Sequence, residues 1–350
     1  MSTIILTGGG TAGHCIPHLA LIPYLKNDFD QIYYIGSKDG LEKGIIENTG
    51  IKYFDVPCTK FRRKSILKNI EIPFVLASGI SKAGKLIDQL KPDVVFSKGG
   101  YVAIPTVIAS SNRKIPVISH ESDLTMGLAN KFMSKYCKKI LTSFPTTAKE
   151  VRNGEYSGSP IRRNLFNANK SDALSFFGFS GKKPVLLVTG GSLGAKKINM
   201  VLRSALPELI KTFDVIHVCG KGNLDQSINL DGYFQTEFLN KIENAFAICS
   251  ICVSRAGSNT LFELLSLEIP TLLIPLPKDV SRGDQVENAE YFQKLGLVNV
   301  LPQNVLTKDS LIVSIYSTYS NRSSLKNNLK LNPIKDQSRT ISRIIADCKR

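Results

Sequence analysis

The sequence of 350 residues contains no tryptophan and only seven cysteines, an odd number scattered along the chain. No apolar stretch approaches the ~20 residues that a helix needs to span a bilayer. The N-terminus, MSTIILTGGG, lacks the basic and apolar regions of a signal peptide. We therefore expect a cytoplasmic protein without a disulfide framework. Cys249 and Cys252 form a C-x-x-C, but no second pair completes a zinc site, so we interpret them as structural thiols.

Acidic residues are scarce relative to basic ones. The chain has 29 Asp and Glu against 45 Lys and Arg, a formal net charge of +16. Such a surplus favours an anionic partner, which could be nucleic acid, a phosphorylated substrate or an acidic membrane. The alternative is a scattered basic surface that only keeps the protein soluble.

Apolar runs rich in Val and Ile alternate with helix-length segments along the whole chain. Runs that are apolar on both faces, separated in this way, predict parallel sheets covered by helices. The predicted strands are 3–7, 31–36, 92–97, 115–120, 138–143, 184–190, 215–220, 251–255 and 269–276.

Two stretches of the first half recur in the second half in the same order. IILTGGGTAG near the start resembles LLVTGGSLGA, and the segment 93–118 resembles 251–274, with Ser-basic-x-Gly after a strand in both. This predicts an α/β protein of two Rossmann-like domains, 1–160 and 161–334, with the boundary in the polar stretch 154–172. A helix at 335–350 ends the chain.

The stretch TGGGTAGHCIPHLAL follows the first predicted strand and satisfies G-x-G-x-x-G through Gly8, Gly10 and Gly13. Such a loop binds phosphate through backbone N–H groups and the positive end of the following helix. A NAD site also needs an acid at the end of the second strand. That strand ends in Gly36 and Ser37, which disfavours a dinucleotide and leaves another phosphate compound as the ligand.

His14 directly follows the glycine loop, at the predicted start of a helix. The field of a helix N-terminus favours a neutral imidazole, so His14 is a candidate general base. The alternative is a capping or packing histidine. His14 and His18 are spaced i, i+4, as metal ligands can be, but no third ligand is evident nearby.

Seven motifs occur in the order and roughly the spacing of one family: GGGTAGH, SKGGYVAIP, HESDLTMGLANK, GSPIR, TGGSLGAKKIN, SRAGSNTLFELLSLEIPTLLIPLP and GDQVENA. The chain resembles the MurG family, glycosyltransferase family 28, whose cytoplasmic members convert lipid I to lipid II in peptidoglycan synthesis. The resemblance covers essentially the whole chain. It implies a GT-B architecture, two Rossmann-like domains with parallel sheets facing across a cleft, with the C-terminal helix packed on the first domain.

The resemblance implies that UDP-N-acetylglucosamine (UDP-GlcNAc) is bound mainly by the second domain. Glu263 would accept both ribose hydroxyls, Ser192 would bond the diphosphate, and the backbone of Leu239 would contact uracil. Arg162 would reach the donor and Gln285 would read the sugar hydroxyls. The full set of implied donor positions is Thr11, Ala12, Gly13, Arg162, Ser192, Leu239, Ser258, Asn259, Thr260, Leu261, Phe262, Glu263 and Gln285.

The same resemblance implies an acceptor site on the first domain. His14 would deprotonate the C4 hydroxyl of N-acetylmuramic acid in lipid I, and a direct displacement would invert the anomeric carbon. Further acceptor candidates are Gly9, Gly10, Tyr101, His120 and Asp123. Asp123 stands where other relatives carry Asn and His18 where many carry Gly, so no role is assigned to His18. No D-x-D pair stands where it would hold a metal on the diphosphate, and we expect no cofactor.

Residues 56–70 are basic without any acid, and the next ten are mostly apolar. A basic loop before a core helix is one interpretation. The other, which the resemblance favours, is a patch that docks on the anionic cytoplasmic membrane surface, where several cations together give reversible binding. The residues concerned are Arg62, Arg63, Lys64, Ile66, Leu67, Ile70 and Phe74.

The expected partners are UDP-GlcNAc, lipid I, the membrane surface and other cell-wall enzymes, but not nucleic acid. Four rival functions remain to be separated. These are a GT-B transferase that acts on another lipid, a UDP-GlcNAc 2-epimerase, an NAD(P)-dependent oxidoreductase and a non-catalytic membrane adaptor.

Overall fold

The structure, a computed structural model, describes residues 1–60, 69–191 and 194–350. The chain forms two compact units, the first made of Met1–Arg162 and Asp336–Arg350 and the second of Arg163–Lys335. The change from one unit to the other falls inside the polar segment 154–172, which has few apolar side chains with which to build a core.

A parallel seven-stranded sheet, in the order β3-β2-β1-β4-β5-β6-β7, forms the centre of the first unit. Its strands are β1 Thr3–Thr7, β2 Gln31–Gly36, β3 Lys52–Asp55, β4 Val94–Ser97, β5 Val117–Glu121, β6 Lys139–Thr142 and β7 Gly154–Tyr156. Its helices are α1 Ile16–Asp28, α2 Leu41–Glu47, α3 Ile72–Leu90, α4 Ile104–Asn112, α5 Leu128–Met133 and α6 Pro145–Glu150. Proline stands in the first turn of α1, α3 and α4, where its missing N–H costs no hydrogen bond.

A parallel six-stranded sheet, in the order β10-β9-β8-β11-β12-β13, forms the centre of the second unit. Its strands are β8 Val185–Thr189, β9 Asp214–Val218, β10 Tyr233–Thr236, β11 Cys249–Ser254, β12 Thr271–Leu273 and β13 Asn299–Val300. Its helices are α7 Lys170–Phe177, α8 Lys196–Leu209, α9 Ile242–Ile248, α10 Ser258–Ser266, α11 Asp284–Lys294, α12 Lys308–Ser320 and α13 Arg322–Leu331.

The last helix of the chain, α14 (Ser338–Ala346), belongs to the first unit. Its Ile341 and Ile345 are fully buried in the same cluster as Leu21 and Leu25 of α1. Alternate side chains of β1 point to opposite faces of the sheet, so Ile4 joins this cluster while Ile5 joins the cluster under α3 and α4. The C-terminal segment therefore completes the core on one face of the first sheet.

In each sheet the strand order reverses beside the first strand, between β1 and β4 and between β8 and β11. At such a reversal the loops after the two strands diverge and leave a crevice at their carboxyl ends, where α/β proteins bind ligands. The predicted α/β fold of two Rossmann-like units is confirmed. Within the part of the chain that the structure describes, no helix is both long and apolar enough to cross a bilayer.

Candidate functional site

The loops after β1 and β4 contact each other at the reversal of the first sheet. Gly10 has a φ of +82°, and a Cβ there would lie 2.5 Å from Cε1 of Tyr101. Gly100 has a φ of +80°, and its Cβ would lie 2.3 Å from the carbonyl oxygen of Gly9 and 2.9 Å from Cδ2 of His14. Only glycine fits at these two positions, and the structure thereby brings His14 and Tyr101 to one crevice.

His14 ends a short 3₁₀ turn, Ala12–His14, rather than lying in the first turn of α1 as predicted. The difference arises because the Cys15 N–H bonds to Ala12 before the helical pattern begins. The Nδ1–H of His14 donates to the carbonyl of Lys98 at 3.0 Å. This bond selects the tautomer whose lone pair is on Nε2.

The His14 ring is neutral at pH 7. Its burial lowers its pKa, and the charge of Lys98 acts in the same direction, whereas Glu121 and Asp123 oppose the shift. A neutral imidazole with its Nδ1–H fixed can accept a proton at Nε2, which is the chemistry of a general base.

Lys98 directly follows β4 and is 1% exposed. Its ammonium donates to Nδ1 of His120 and to Oγ of Ser122, each at 2.6 Å. Nε2–H of His120 donates in turn to the carbonyl of Gly158 at 3.0 Å. His120, predicted as an acceptor candidate, is thus fully buried, and both of its ring nitrogens are bonded inside the protein. It connects Lys98, after β4, to the loop that contains Gly158.

Glu121, the last residue of β5, organises the loop that follows it. Its carboxylate is 3% exposed and accepts the backbone N–H groups of Ser122, Asp123 and Gly127 at 2.9 to 3.0 Å. It also accepts Nδ2 of Asn130 at 2.9 Å. The partly exposed Asp123, an acceptor candidate, is held at this edge of the sheet by these bonds.

A second buried carboxylate, Glu42, lies beside the glycine loop and is fully buried. It accepts the N–H of Gly10 at 3.3 Å and that of Ser37 at 3.1 Å. A Cβ on Gly9 would lie 2.5 Å from Cδ of Glu42. The carboxylate is thus bound by backbone groups of the protein itself and is closed off from solvent, so it is not presented to a ligand.

The segment of the second unit that is predicted to bind the donor lies at the reversal between β8 and β11. Ser258, Asn259 and Thr260 form the first turn of α10, and the positive end of a helix dipole favours an anion. Glu263 follows on the same helix and is 7% exposed. The side chains of the intervening Leu261 and Phe262 are buried in the core, so only their backbone is available to a ligand.

Gln285, the predicted sugar-reading residue, lies in the first turn of α11. Its Oε1 accepts the N–H of Leu276 at 3.0 Å, which orients the side-chain amide toward the segment after β12. In that neighbourhood Nδ2 of Asn288 donates to the carbonyl of Ala256, two residues before the α10 motif. The α10 and α11 motifs are thus brought together.

The remaining predicted residues are more dispersed. Leu239 is buried in the loop after β10, and Arg162 is the last residue of the first unit before the chain enters the second. Thr11, Ala12 and Gly13 belong to the first loop, with Thr11 exposed. Ile70 and Phe74 are 66% and 76% exposed. Outside the described residues lie Ser192, Arg62, Arg63, Lys64, Ile66 and Leu67.

Sequence reasoning missed Lys98, Glu121 and Glu42. A signal for Lys98 was present, because Ser-basic-x-Gly follows a strand in both halves. In the second half the corresponding residue is Arg255. It also connects separate segments, because it donates to the carbonyl of Ile274 at 2.9 Å and to Oε1 of Gln303 at 2.6 Å. Nothing in the sequence around Glu42 distinguishes it from a surface residue of a short helix.

Within the described ranges 1–60, 69–191 and 194–350, no three His, Cys, Asp or Glu side chains are grouped so that they could hold a metal ion. The polar groups of the first unit's loops are instead hydrogen-bond donors, the buried carboxylates of Glu42 and Glu121, and the His14 imidazole. This arrangement can bind an anionic ligand and accept a proton.

Comparison with known proteins identifies the family. The sequence models of the glycosyltransferase family 28 N-terminal and C-terminal domains match residues 4–142 and 185–344. A relative from Bacillus thuringiensis subsp. konkukian is 46% identical over 351 residues, which cover 99% of this chain and 100% of the relative. It is named UDP-N-acetylglucosamine--N-acetylmuramyl-(pentapeptide) pyrophosphoryl-undecaprenol N-acetylglucosamine transferase 2.

Two solved structures share the fold. The crystal structure of MurG from Acinetobacter baumannii matches with a TM-score of 0.77 at 23% identity, over 99% of this chain and 100% of that one. UDP-GlcNAc 2-epimerase from Neisseria meningitidis, bound to UDP-GlcNAc, matches with a TM-score of 0.67 at 15% identity, over 99% of both chains. Since the fold is common to both activities, the sequence matches decide the assignment: the chain belongs to glycosyltransferase family 28.

Proposed function

We propose that this protein transfers N-acetylglucosamine from UDP-GlcNAc to the C4 hydroxyl of N-acetylmuramic acid in undecaprenyl-pyrophosphoryl N-acetylmuramyl-pentapeptide. The observation that carries the proposal is the tautomer of His14, set by its 3.0 Å bond to the Lys98 carbonyl, in a chain 46% identical to transferases named for this reaction. A general base for a hydroxyl nucleophile needs such a ring.

The second unit would bind the donor. The N-terminus of α10 would stabilise the diphosphate, and its positive dipole end would favour the charge that develops on the leaving UDP. Glu263, a carboxylate with two acceptor oxygens, would bind the two ribose hydroxyls. The amide nitrogen of Gln285 would donate to the sugar, since its oxygen is bonded to Leu276.

The first unit would bind the acceptor and supply the base. Nε2 of His14 would take the proton of the C4 hydroxyl while that oxygen forms a bond to the anomeric carbon and the bond to UDP breaks. One displacement of this kind inverts the configuration, so an α-linked donor gives a β1→4 product. UDP leaves with the electron pair of the broken bond, and the proton remains on His14 until solvent removes it.

The acceptor's undecaprenyl chain implies that the protein works at the membrane surface. Ile70, at the end of the basic segment 56–70, and Phe74, just after it, expose large apolar side chains, a combination typical of peripheral membrane binding. We propose docking on the cytoplasmic face of the membrane through this patch. Other cell-wall enzymes are further proposed partners.

The experiment uses the full chain with UDP-GlcNAc and a soluble lipid I analogue, with UDP release as the readout. We expect release only when both substrates are present, and an unchanged rate with EDTA because no tightly bound metal is proposed. Consumption of UDP-GlcNAc without acceptor, with formation of UDP-N-acetylmannosamine, would instead identify an epimerase. Release with diacylglycerol but not with the analogue would identify a transferase with another lipid acceptor.

A further inference from the structure

Lys98 is a buried lysine that the transfer mechanism does not use. It is 1% exposed, its ammonium bonds to His120 and Ser122, and its backbone carbonyl is the group that orients His14. Lysine is rarely buried without a reason, because removing an ammonium from water is costly. The main chain of Lys98 therefore contacts His14, the candidate base, and its side chain contacts the end of β5 and the loop after it.

The charges that face Lys98 and His14 come from the ends of the neighbouring strands. The negative groups are Glu121 and Asp123, and the neighbouring titratable rings are His18 and His120. Burial lowers the pKa of Lys98 to about 7, and both carboxylates act against that fall. Lys98 therefore carries its positive charge throughout the acidic range in which an imidazole takes up a proton.

We propose that Lys98 is a positioning residue: its carbonyl orients the His14 ring, and its ammonium, held by His120 and Ser122, places a buried positive charge on the same loop as that carbonyl. The inference rests on the proposed function only for the role of His14 as a base. The interaction itself is a property of the free protein. Asp123 carries the opposite charge, and a carboxylate near an imidazole stabilises the protonated ring.

The sign of the effect follows from Coulomb's law. When the positive charge of Lys98 is removed, protonation of His14 becomes easier and its pKa rises. When the negative charge of Asp123 is removed, protonation becomes harder and the pKa falls. If Lys98 had only a structural role, removing its charge and removing the charge of Asp123 would not shift the pKa of His14 in opposite directions.

The direct measurement is an NMR pH titration of the full-length protein with ¹³C-labelled histidine. The chain has four histidines. Burial lowers the pKa of His18 and of His217 to about 3, and it lowers the pKa of His120 well below its usual range. The His14 signal is assigned by its loss in His14→Gln.

Three variants carry the test. Lys98→Met keeps an unbranched side chain of similar length, and Lys98→Gln also keeps a donor for His120 and Ser122, so it separates charge from hydrogen bonding. Both should move the His14 midpoint to higher pH, and Asp123→Asn should move it to lower pH. The matched control is Lys139→Met, which removes a lysine at the start of β6 that pairs with Glu155 on the surface, and it should leave the midpoint unchanged.

The transfer assay gives a second readout. Lys98→Gln should lose roughly tenfold more kcat/KM at pH 6 than at pH 8.5, because a higher pKa leaves less of the base unprotonated at low pH. An unmoved His14 midpoint in both Lys98 variants overturns the inference, as does a shift in Lys98→Met alone. If the midpoints move as expected but the wild type transfers no sugar, the proposed function fails while the interaction of Lys98 with His14 stands.

Discussion

Replacing Glu121 by alanine tests whether a buried carboxylate holds the loop beside His14. The carboxylate is 3% exposed and accepts four hydrogen bonds of 2.9 to 3.0 Å, three from backbone N–H groups and one from Asn130. Glu121→Ala leaves four donors without their acceptor in a site that water enters poorly. Hydrogen bonds to charged groups contribute about 1.5–3 kcal/mol each and are not additive, so we expect a local loss of about 3–5 kcal/mol.

Glu121→Gln is the milder variant. It keeps one acceptor oxygen, that of an amide, for the N–H groups of Ser122 and Asp123, and it places an NH₂ against the N–H of Gly127 and the amide of Asn130. Oδ1 of Asn130 is buried and has no hydrogen-bond partner among the described residues, so turning that amide satisfies the new NH₂. One conflict then remains, at Gly127, and we expect a loss of about 1–3 kcal/mol.

Hydrogen exchange followed by mass spectrometry measures the loss of local stability in the segment that follows β5. Since 1.4 kcal/mol corresponds to a factor of ten, amides of residues 122–130 should exchange roughly 10²- to 10⁴-fold faster in Glu121→Ala and roughly 5- to 100-fold faster in Glu121→Gln. The control is Glu155→Ala, which removes a surface ion pair with Lys139 and should leave this segment unchanged. Exchange in Glu121→Ala within threefold of wild type would refute the reasoning.

Other substitutions test the separate parts of the site. His14→Ala should lower kcat by roughly 10²- to 10⁴-fold while sparing UDP-GlcNAc affinity in calorimetry; near-normal turnover would remove His14 from the mechanism. Glu263→Ala should weaken UDP and UDP-GlcNAc equally, because the lost contact is to ribose. Gln285→Glu keeps the oxygen that bonds the loop and removes the donor amide, so it should weaken UDP-GlcNAc more than UDP; equal losses contradict a sugar-reading role. Binding of the protein to phosphatidylglycerol vesicles should weaken at high salt. It should also weaken after Phe74→Ser and after serine replaces the three cations at 62–64, since each cation contributes about 1 kcal/mol. If both variants sediment with the vesicles as the wild type does, the membrane-binding surface lies elsewhere.

The central strands could be predicted from the sequence because they are buried on both faces. β1, β4 and β8 are apolar runs with Thr or Ser only at their ends, and burial of every side chain is what produces such runs in a parallel sheet. The strands that the sequence did not reveal, β3, β7, β10 and β13, are two to four residues long and half-buried. All four are edge strands, which are less buried than central strands and therefore have a weak apolar pattern.

The candidate site was predictable where a motif follows a strand. The glycine loop with His14 and the first turn of α10 lie at the strand-order reversals, as their positions after β1 and β11 require. The supports of the site were not predictable, because Glu42 and Glu121 act through backbone groups that the fold brings to them. The burial of His120 was not predictable either, because its bonds to Lys98 and to the Gly158 carbonyl join segments that are distant in the sequence.

The most direct measurement of the central claim is the configuration of the product that the wild-type protein makes. The full chain is incubated with UDP-GlcNAc and a lipid I analogue, and the purified disaccharide product is examined by mass spectrometry and proton NMR. Direct displacement with His14 as base predicts an acceptor heavier by one N-acetylglucosamine residue, linked β1→4. An α-linked product, or an acceptor of unchanged mass while UDP-GlcNAc is consumed, would contradict the account.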